Sequence, residues 1–499
     1  MNKKQALKIY NETIEKIQAY VLVLSTTDFD RLTIAPLKGN DYRNKMLSII
    51  EGELYSIQTN PDYVDAVLYL SKLDLGKERN RDIYLAKKSL EDIIKFTKEE
   101  VMQFSLAQMQ GNDAWSKAKA EDKYRIFEPK LLKLIEISKY RCQKRNKNKK
   151  PYNILLDDYE EGMDIKQYDQ FFSLIKKELI PLIKKINKKK DYIDDSFLYK
   201  YYPKDKQELF LKKIMKYINF DPSWSYMGVS EHPFTNGFSR NDVRVTTAYD
   251  EYNISSAIFS LIHECGHGFY EHQVSSKYDD SVFLRYMSSG MHESQSRFFE
   301  NYLARRKSFF KLLYPELQKL FAGNLKDVSL DDFIKAINVS KCSLIRTDAD
   351  ELTYPIHILI RYEIEKDIFD NKIDLKNLNK VWNKKYKDYL GIDVPDDRSG
   401  ILQDIHWSGA SFGYFPTYAL GSAIGAQLLN KMNKDLDIDD LLSKGKFKVI
   451  TDYLKNNVQK YGALYDYNAI LKLATGETFK PKYYISYLKK KYSKLYDIK

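Results

Sequence analysis

Apolar residues recur at intervals of three and four along most of this 499-residue chain, and this period limits the folds that the chain can adopt. Residues 4–23, 41–57, 88–110 and 130–140 repeat apolar side chains at i, i+3, i+4 and i+7, which forms one face of an amphipathic helix. Strand-like alternation is scarce, and residues 242–249 (DVRVTTAY) are its best example. The sequence therefore predicts a mainly α-helical protein with one small β-sheet near its middle.

Three segments interrupt the helical pattern and are predicted to be exposed loops. Residues 144–151 are lysine-rich, residues 221–241 are polar and rich in turn formers, and residues 393–400 read DVPDDRSG. None has the composition of a flexible linker. We therefore predict an N-terminal helical subdomain over residues 1–150 that moves against a helical body over residues 151–499.

The charge and the cysteine content indicate in which compartment the protein is expected and which classes of partner it binds. The net charge of +12 would suit a polyanion, but the lysines lie in short clusters without a nucleic-acid recognition motif, so a solvated surface is the better interpretation. The three cysteines are few and far apart, which predicts a reducing compartment. Because the chain also lacks a signal-peptide core and long apolar runs, we expect a cytoplasmic protein that binds neither nucleic acid nor membrane.

Two histidines one helical turn apart form the central motif, HECGH at residues 263–267. Positions i and i+4 share a helix face, so His263 and His267 can bind one tetrahedral zinc ion. Glu264 is rotated aside, where it can accept a proton from the water that the metal activates. Two core histidines in a buried helix are the alternative, and the helical context and the residue order favour the metal site.

The third ligand decides the class of zinc site. A third histidine in the pattern HExxHxxGxxH would require Gly and His where this chain has Tyr270 and Gln273, which excludes that class. A downstream carboxylate is the alternative, and it would leave a fourth position for water, as a catalytic zinc requires. The candidates are Asp279, Asp280, Glu293 and Glu300, with His292 as a rival. Glu293 lies in a second helical stretch, SGMHESQSRFFENYL.

At this point several separated motifs, in order, resemble those of the thermostable carboxypeptidase Taq family of zinc metallocarboxypeptidases. They are HPF at 232–234, DVRVT at 242–246, HECGH at 263–267, HESQS at 292–296, IRTDAD at 345–350, GILQDIHW at 400–407 and GYFPTYALG at 413–421. An upstream segment, PYNILLDDYEEGM at 151–163, also matches. One early segment, residues 26–36, lacks an expected Trp, which affects the packing of the lid and the substrate preference and not the chemistry.

The resemblance implies a role for each matching residue. His263, His267 and Glu293 would bind zinc, Glu264 would be the general base, Arg346 would bind the C-terminal carboxylate, and His232, His406 and either Tyr418 or Tyr414 would hold the scissile carbonyl and its oxyanion. The implied fold is a gluzincin-type helical body with a deep active-site groove, lined by the small sheet and covered by the N-terminal helices. Homodimers are usual in the family.

The implied activity is the removal of single C-terminal amino acids from peptides with a free C-terminus, with broad specificity (EC 3.4.17 type). Zinc would be the cofactor, with cobalt or manganese as substitutes. A zinc oligoendopeptidase of similar helical groove architecture is the alternative enzyme. A non-enzymatic module that binds nucleic acid through the positive charge is the alternative of another class.

Some residues keep open interpretations. From chemistry alone, Arg240, Arg244 and Arg361 could also bind a carboxylate, and the family position selects Arg346. His357 is predicted to be a core histidine on an apolar helical face. Three acids, Asp348, Asp350 and Glu351, either orient the metal-binding histidines or cap a helix.

Overall fold

The fold is described by a computed structural model over residues 1–189 and 193–498, apart from the side chains of Leu37 and Asp41. Residues 190–192 and 499, which fall within the predicted body of residues 151–499, lie outside this description. Helix is the dominant structure, as the apolar period predicted. Within the described residues, no helix is both long enough and apolar enough to cross a membrane.

The N-terminal part consists of six helices. They are α1 (Lys3–Thr33), α2 (Asn40–Gln58), α3 (Pro61–Leu70), α4 (Lys77–Ile93), α5 (Lys98–Glu121) and α6 (Tyr124–Arg145). The prediction of one helical segment over residues 88–110 is wrong, because α4 ends and α5 begins within it. The Thr97 hydroxyl accepts a hydrogen bond from the Glu100 amide and the Glu100 carboxylate accepts one from the Thr97 amide, a capping box that starts a new helix.

The middle of the chain adds three helices and a three-stranded sheet. The elements are α7 (Pro151–Tyr159), α8 (Ile165–Asn187), α9 (Lys204–Ile218), β1 (Ser225–Val229), β2 (Thr235–Ser239) and β3 (Asp242–Thr247). In the sheet, β3 lies between β1, to which it is parallel, and β2, to which it is antiparallel.

The strand expected within residues 242–249 is confirmed as β3, but residues 221–241 are not all loop, because they contain β1 and β2. These two strands occupy the edges of the sheet, and most of their residues are only partly buried or exposed. A strand with little buried surface needs no strict apolar alternation, so its sequence gives a weak signal.

The C-terminal part is again helical. Its elements are α10 (Ile254–Gln273), α11 (Ser289–Arg297) with a π-helical continuation (Phe298–Leu303), α12 (Lys307–Phe310), α13 (Tyr314–Leu320), α14 (Ala322–Leu325), α15 (Leu330–Ala336), α16 (Tyr354–Phe369), α17 (Leu378–Leu390), α18 (Phe415–Asp435), α19 (Ile438–Ser443), α20 (Phe447–Asn457), α21 (Tyr467–Thr475) and α22 (Lys482–Leu495). One apolar core extends from Ala6 to Tyr496. The division at residue 150 stays a prediction.

Helices α10, α11 and α18 approach each other closely at two glycines. A Cβ atom on Gly266 of α10 would lie 2.6 Å from the Gln295 carbonyl oxygen of α11. A Cβ atom on Gly421 of α18 would lie 2.6 Å from the side chain of Glu293 on α11. Both distances are far below van der Waals contact, so glycine is what allows the three helices to pack backbone against backbone.

Candidate metal centre

Helix α10 presents two imidazoles on one face. Its start is capped by Asn253, whose side chain accepts a hydrogen bond from the Ser255 amide at 3.1 Å. The apolar face buries residues such as Leu261 against the core, so that His263 and His267 lie on the opposite side with 17% and 16% of their side chains exposed. The histidines are therefore held by the fold and remain open to solvent.

Glu293 of α11 completes a group of three. Its Oε2 atom lies 3.8 Å from His263 Nε2 and 3.5 Å from His267 Nε2, and all three atoms lie within 4.8 Å of one another. Two imidazole nitrogens and one carboxylate oxygen are the donor set of His₂Glu catalytic zinc sites. The residues thus fit a divalent cation, and the structure brings together the three residues predicted as ligands.

The start of α11 is fixed by a carboxylate from α7's C-terminal end. Glu160 is fully buried, and its Oε2 accepts hydrogen bonds from the Gly290 amide at 2.7 Å and the Ser288 hydroxyl at 2.8 Å. Ser288 in turn accepts from the Met291 amide, the usual N-cap interaction. Burial raises the pKa of Glu160 to about 8, although both hydrogen bonds favour its ionised form. Glu293 therefore follows a helix terminus that is anchored from outside.

Each metal-facing histidine is supported through its other ring nitrogen. His263 Nδ1 lies 2.9 Å from Glu300 Oε2. His267 Nδ1 lies 2.6 Å from His292 Nδ1, and His292 Nε2 lies 2.9 Å from Glu271 Oε1. If His267 offers Nε2 to a metal, its Nδ1–H donates to His292 Nδ1 and the His292 Nε2–H donates to Glu271, so one set of tautomers satisfies the whole relay.

His292, Glu300 and Asp279, which were rival candidates for the third ligand, have other partners in the structure. Both ring nitrogens of His292 are engaged behind His267, and Glu300 stands behind His263. Asp279 is paired with Arg240, its Oδ1 lying 2.6 Å from the guanidinium Nε. Among the described residues, the group able to hold a metal consists of His263, His267 and Glu293.

The protonation states of His267 and Glu293 also suit a cation. Burial lowers the pKa of His267 to about 3, so this imidazole is neutral and its Nε2 can bind metal. Burial alone would raise the pKa of Glu293, but the charge of Arg297 and the neighbouring histidines hold it well below its usual range. The predicted third ligand is therefore an ionised carboxylate.

Glu264 lies beside this group and has one hydrogen bond of its own. The Thr235 hydroxyl of β2 donates to Glu264 Oε2 at 2.7 Å. Burial raises the pKa of Glu264, which makes its carboxylate a stronger proton acceptor than an exposed one. The strand missed in the sequence analysis thus positions the predicted base.

Arg346 lies in a second cluster that reaches the metal group through a tyrosine. Its Nε and Nη2 both lie 2.9 Å from Asp404 Oδ1, and its Nη1 donates to the Tyr354 hydroxyl at 3.2 Å. The ring of the same Tyr354 packs against Arg297, with 4.1 Å between the ring centroid and the guanidinium carbon. Arg297 is the residue that pairs with Glu293.

The other three arginines are committed elsewhere. Arg361 is fully buried, and its donors go to Asp404, Gln403, Tyr386 and the His357 carbonyl. Arg240 pairs with Asp279 and Arg244 pairs with Asp242. Among the four candidates for a carboxylate site, Arg346 is therefore the one that contacts Tyr354, which in turn contacts Arg297 beside the metal group.

The predicted oxyanion residues are only partly brought together. His406 Nε2 lies 3.1 Å from the Tyr418 hydroxyl, and the Tyr414 ring is 5.6 Å from the His406 ring and 5.2 Å from that of Tyr418. The Arg346 guanidinium carbon lies 5.0 Å from the Tyr418 ring, so the carboxylate cluster and these residues adjoin. His232 has an exposed side chain that, among the described residues, makes no hydrogen bond or ring contact with them.

Other open interpretations also receive an answer. His357 is fully buried with its Nδ1 3.0 Å from the Tyr386 hydroxyl, so the prediction of a core histidine is confirmed. Asp350 caps the turn before α16 by accepting from the Leu352 and Thr353 amides. Glu351 pairs with Lys491. The carboxylates that orient the histidines are instead Glu300 and Glu271.

Four site residues were missed by the sequence analysis in these roles: Glu271, Arg297, Thr235 and Tyr354. A helical signal exists for two of them. Glu271 stands four residues after His267, and Arg297 stands four residues after Glu293, so each shares a helix face with a ligand. Thr235 and Tyr354 reach the site from other elements, and spacing along the chain carries no such signal.

Comparison with known proteins agrees with this geometry. A family model described as carboxypeptidase Taq (M32) metallopeptidase matches residues 9–492. Carboxypeptidase 1 of Bacillus subtilis (strain 168) is 39% identical over 493 residues, which cover 98% of each chain. Solved structures of a Pyrococcus furiosus carboxypeptidase and of the M32 carboxypeptidase from Deinococcus radiodurans R1 superpose with TM-scores of 0.93 and 0.94, at 31% and 26% identity over 99% of both chains. The family resemblance and the mainly helical fold class are confirmed.

Proposed function

Because this chain belongs to the carboxypeptidase Taq (M32) family of metallopeptidases, we propose that it releases single C-terminal amino acids from peptides with broad specificity. Family membership and the relatives named carboxypeptidase identify the enzyme class, a metal-dependent peptide hydrolase. The observation that carries the proposed site is the approach of His263 Nε2, His267 Nε2 and Glu293 Oε2 to within 4.8 Å of one another.

Zinc is the proposed cofactor, with cobalt or manganese as substitutes. His263, His267 and Glu293 would hold the ion and leave a position open for water. When bound, the ion would supply Lewis acidity that lowers the pKa of a water molecule and polarises the scissile carbonyl. Glu300 and the His292–Glu271 pair would keep both imidazoles oriented with the correct nitrogen forward.

Glu264 would be the general base. The Thr235 hydroxyl fixes Oε2, which gives the carboxylate one preferred orientation. From there Glu264 would accept a proton from the attacking water and deliver it to the leaving amine. Tyr418 or Tyr414, together with His406, would donate to the developing oxyanion, and one such donor is typically worth about 3–4 kcal/mol. His232 keeps its proposed role from its motif position alone.

The exopeptidase specificity is proposed to come from Arg346. A guanidinium can bind a carboxylate through two parallel hydrogen bonds. Asp404 contacts Nε and Nη2 of Arg346, and the Tyr354 hydroxyl accepts from Nη1, so the peptide carboxylate would bind through the second hydrogen of each terminal nitrogen. The contacts of Tyr354 with Arg346 and with Arg297 would set the distance between the peptide carboxylate and the metal group.

The test of this specificity compares a short peptide with the same peptide carrying a C-terminal amide. We expect the amide to be cleaved with a kcat/KM lower by on the order of 100-fold or more, because Arg346 would be left without its anionic partner. Amino-acid analysis of the products should show single C-terminal residues. Equal rates for the two peptides would contradict the carboxylate site.

The first mutational prediction concerns Glu264→Gln. The variant should retain its metal, since Glu264 is not in the ligand group, while kcat should fall by roughly 10²- to 10⁴-fold because the proton acceptor is lost. Metal content by elemental analysis and rates on one peptide measure both effects. Chelated wild type, with and without added zinc, is the control. Unchanged turnover by a metal-loaded variant would remove Glu264 from the mechanism.

The oligoendopeptidase alternative is not favoured, because the family and the curated relatives are carboxypeptidases. Internal fragments among the products would restore it. We also propose that the protein is a cytoplasmic homodimer that binds peptides and has no nucleic-acid partner. Residues 1–150 would form a lid over the catalytic body. Light scattering of the purified protein tests the dimer.

A further inference from the structure

A buried cation lies next to the proposed cation site. Arg297 stands on the same helix face as Glu293, one turn later, and 13% of its side chain is exposed. Its guanidinium carbon lies 4.1 Å from the centroid of the Tyr354 ring, which holds the group in place. A positive charge so close to a divalent ion weakens ion binding by repulsion. Its presence therefore requires a compensating role.

The contacts of Arg297 indicate what that role is. Its Nε donates to Glu293 Oε1 at 2.7 Å, and its Nη1 donates to Glu300 Oε2 at 3.1 Å. Glu300 Oε2 is also the atom behind His263. One planar group is thus connected to the third ligand directly and to the first ligand through a carboxylate.

The two oxygens of Glu293 are divided between these neighbours. Oε2 is the atom closest to the Nε2 atoms of His263 and His267, and it also accepts a hydrogen bond from the neutral Ser296 hydroxyl at 3.3 Å. Oε1 is occupied by the Arg297 Nε–H. A carboxylate free of such a bond can offer both oxygens to one metal ion, whereas a charge-assisted bond to one oxygen opposes the rotation that this would need.

We propose that Arg297 is a positioning residue that restricts Glu293 to a single ligating oxygen. This deepens the proposed function and rests on it. The restriction keeps the coordination number low, so positions remain for a water molecule and for the peptide carbonyl. It also explains the identity of the residue, because the guanidinium fork reaches Glu293 and Glu300 at the same time and an ammonium group is a single point charge.

The experiment uses the full-length protein loaded with cobalt(II), whose visible absorption weakens as its coordination number rises. Wild type, Arg297→Lys and Arg297→Gln are compared, and Arg306→Lys is the matched control. Arg306 contacts Asp439 and the Tyr302 carbonyl and not the site. We expect both Arg297 variants to absorb more weakly than wild type because Oε1 joins the ion. We expect Arg306→Lys to match wild type.

Metal affinity, measured by competition with a chelator, gives a second readout. Loss of an outer partner typically weakens metal binding by 10- to 100-fold. We expect a weakening of this size for Arg297→Lys, which keeps the positive charge, a smaller one for Arg297→Gln, which also removes the repulsion, and none for Arg306→Lys. X-ray absorption of zinc-loaded wild type gives a third readout that does not depend on the folding of any variant. It should show one Glu293 oxygen in the coordination shell.

The possible failures are distinct. Wild type that binds no metal would overturn the proposed function and this inference together. Two Glu293 oxygens on the ion in wild type would overturn the inference alone. Identical cobalt spectra in wild type and in folded Arg297 variants would do the same, since Arg297 would then have no influence on how Glu293 binds.

Discussion

The helices that carry the proposed ligands and the helices at the N-terminus are packed in different ways. In α10, thirteen of 20 residues are buried, including Glu264 and both ligand-flanking glycines. In α2, a helix of 19 residues, none of the side chains that the structure describes is buried. In α1, four of the five buried residues lie in the first half, and Phe29 is alone near the other end.

This difference separates two requirements of such an enzyme. A ligand set must hold its geometry to a fraction of an ångström, so each ligand has its own anchor and the helices meet backbone to backbone. An element that admits substrate must be able to open, and sparse burial lowers the free energy of local opening.

The largest effect is expected when a glycine of α10 is replaced by alanine, and the same substitution in α2 is the comparison. Gly266→Ala in α10 would place a Cβ atom 2.6 Å from the Gln295 carbonyl oxygen and 2.7 Å from Ser296 Cα, which are backbone atoms that cannot turn away. We expect a loss of more than about 3 kcal/mol in the free energy of unfolding, the upper end for overpacking, and weaker metal binding as α10 and α11 separate. Denaturant unfolding and chelator competition measure the two.

Gly52→Ala in α2 is the matched variant, because nothing lies within 4 Å of its Cβ position. Alanine is the better helix former, so we expect a gain of roughly 0.5–1 kcal/mol and unchanged metal affinity. A loss of similar size in both variants would mean that the two regions are packed alike and would end the comparison.

An intermediate effect is expected for Phe29→Ala at the end of α1. The centroid of the Phe29 ring lies 5.7 Å from that of Phe234, just before β2, and 6.1 Å from that of Phe238 in β2, and the Arg244 guanidinium carbon lies 5.4 Å from the Phe29 centroid. Removal of the Phe29 ring should lower the free energy of local opening of the second half of α1 by roughly 2–3 kcal/mol. This is somewhat less than the cost of Phe→Ala in a fully packed core.

Hydrogen exchange resolved by peptide measures the opening. Exchange in α1 should accelerate in Phe29→Ala while exchange in α10 stays as in wild type. Leu22→Ala, at a position that is 48% exposed on the same helix, is the control and should behave as wild type. Equal acceleration in α10 would show that α1 and α10 open together.

The smallest effect is expected for Glu160→Gln, which probes the anchor of α11. Burial raises the pKa of Glu160 to about 8, so the folded protein keeps a proton that the unfolded chain loses near its ordinary value of 4.5. Folded stability from this group is therefore full below about pH 4.5 and decreases as the pH rises toward about 8. Glutamine does not titrate, so this decrease should be absent from the variant.

Between about pH 6 and pH 7, the stability of Glu160→Gln relative to wild type should rise by on the order of 1 kcal/mol. Urea unfolding of both proteins at the two pH values measures it. A constant difference would show that Glu160 stays ionised in the folded protein, held by the amide and the hydroxyl at the start of α11.

The sequence predicted the ligand helix and the class of site because both depend on local spacing. His263 and His267 are one turn apart, and that separation alone places them on one face. The break between α4 and α5 was missed although Thr97 and Glu100 have the spacing of a capping box, because the apolar period continues across it. The edge strands were missed because they bury too little to impose a pattern.

The helical class, the family, and the proposal of His263 and His267 as ligands with Glu264 as the base thus follow from the order of residues along the chain. Which carboxylate becomes the third ligand, and which ones stand behind the histidines, is decided by the packing of α11 against α10 and α18. Glu293 and Glu300 are both glutamates on one helical stretch, and helical spacing alone does not separate them; the resemblance of HESQS at 292–296 to a family motif was what selected Glu293. Only the close approach at Gly266 and Gly421, together with the Arg297 bonds, turns one toward the imidazole Nε2 atoms and the other toward Nδ1. Distances between elements of this kind arise from tertiary contacts, and local spacing does not encode them.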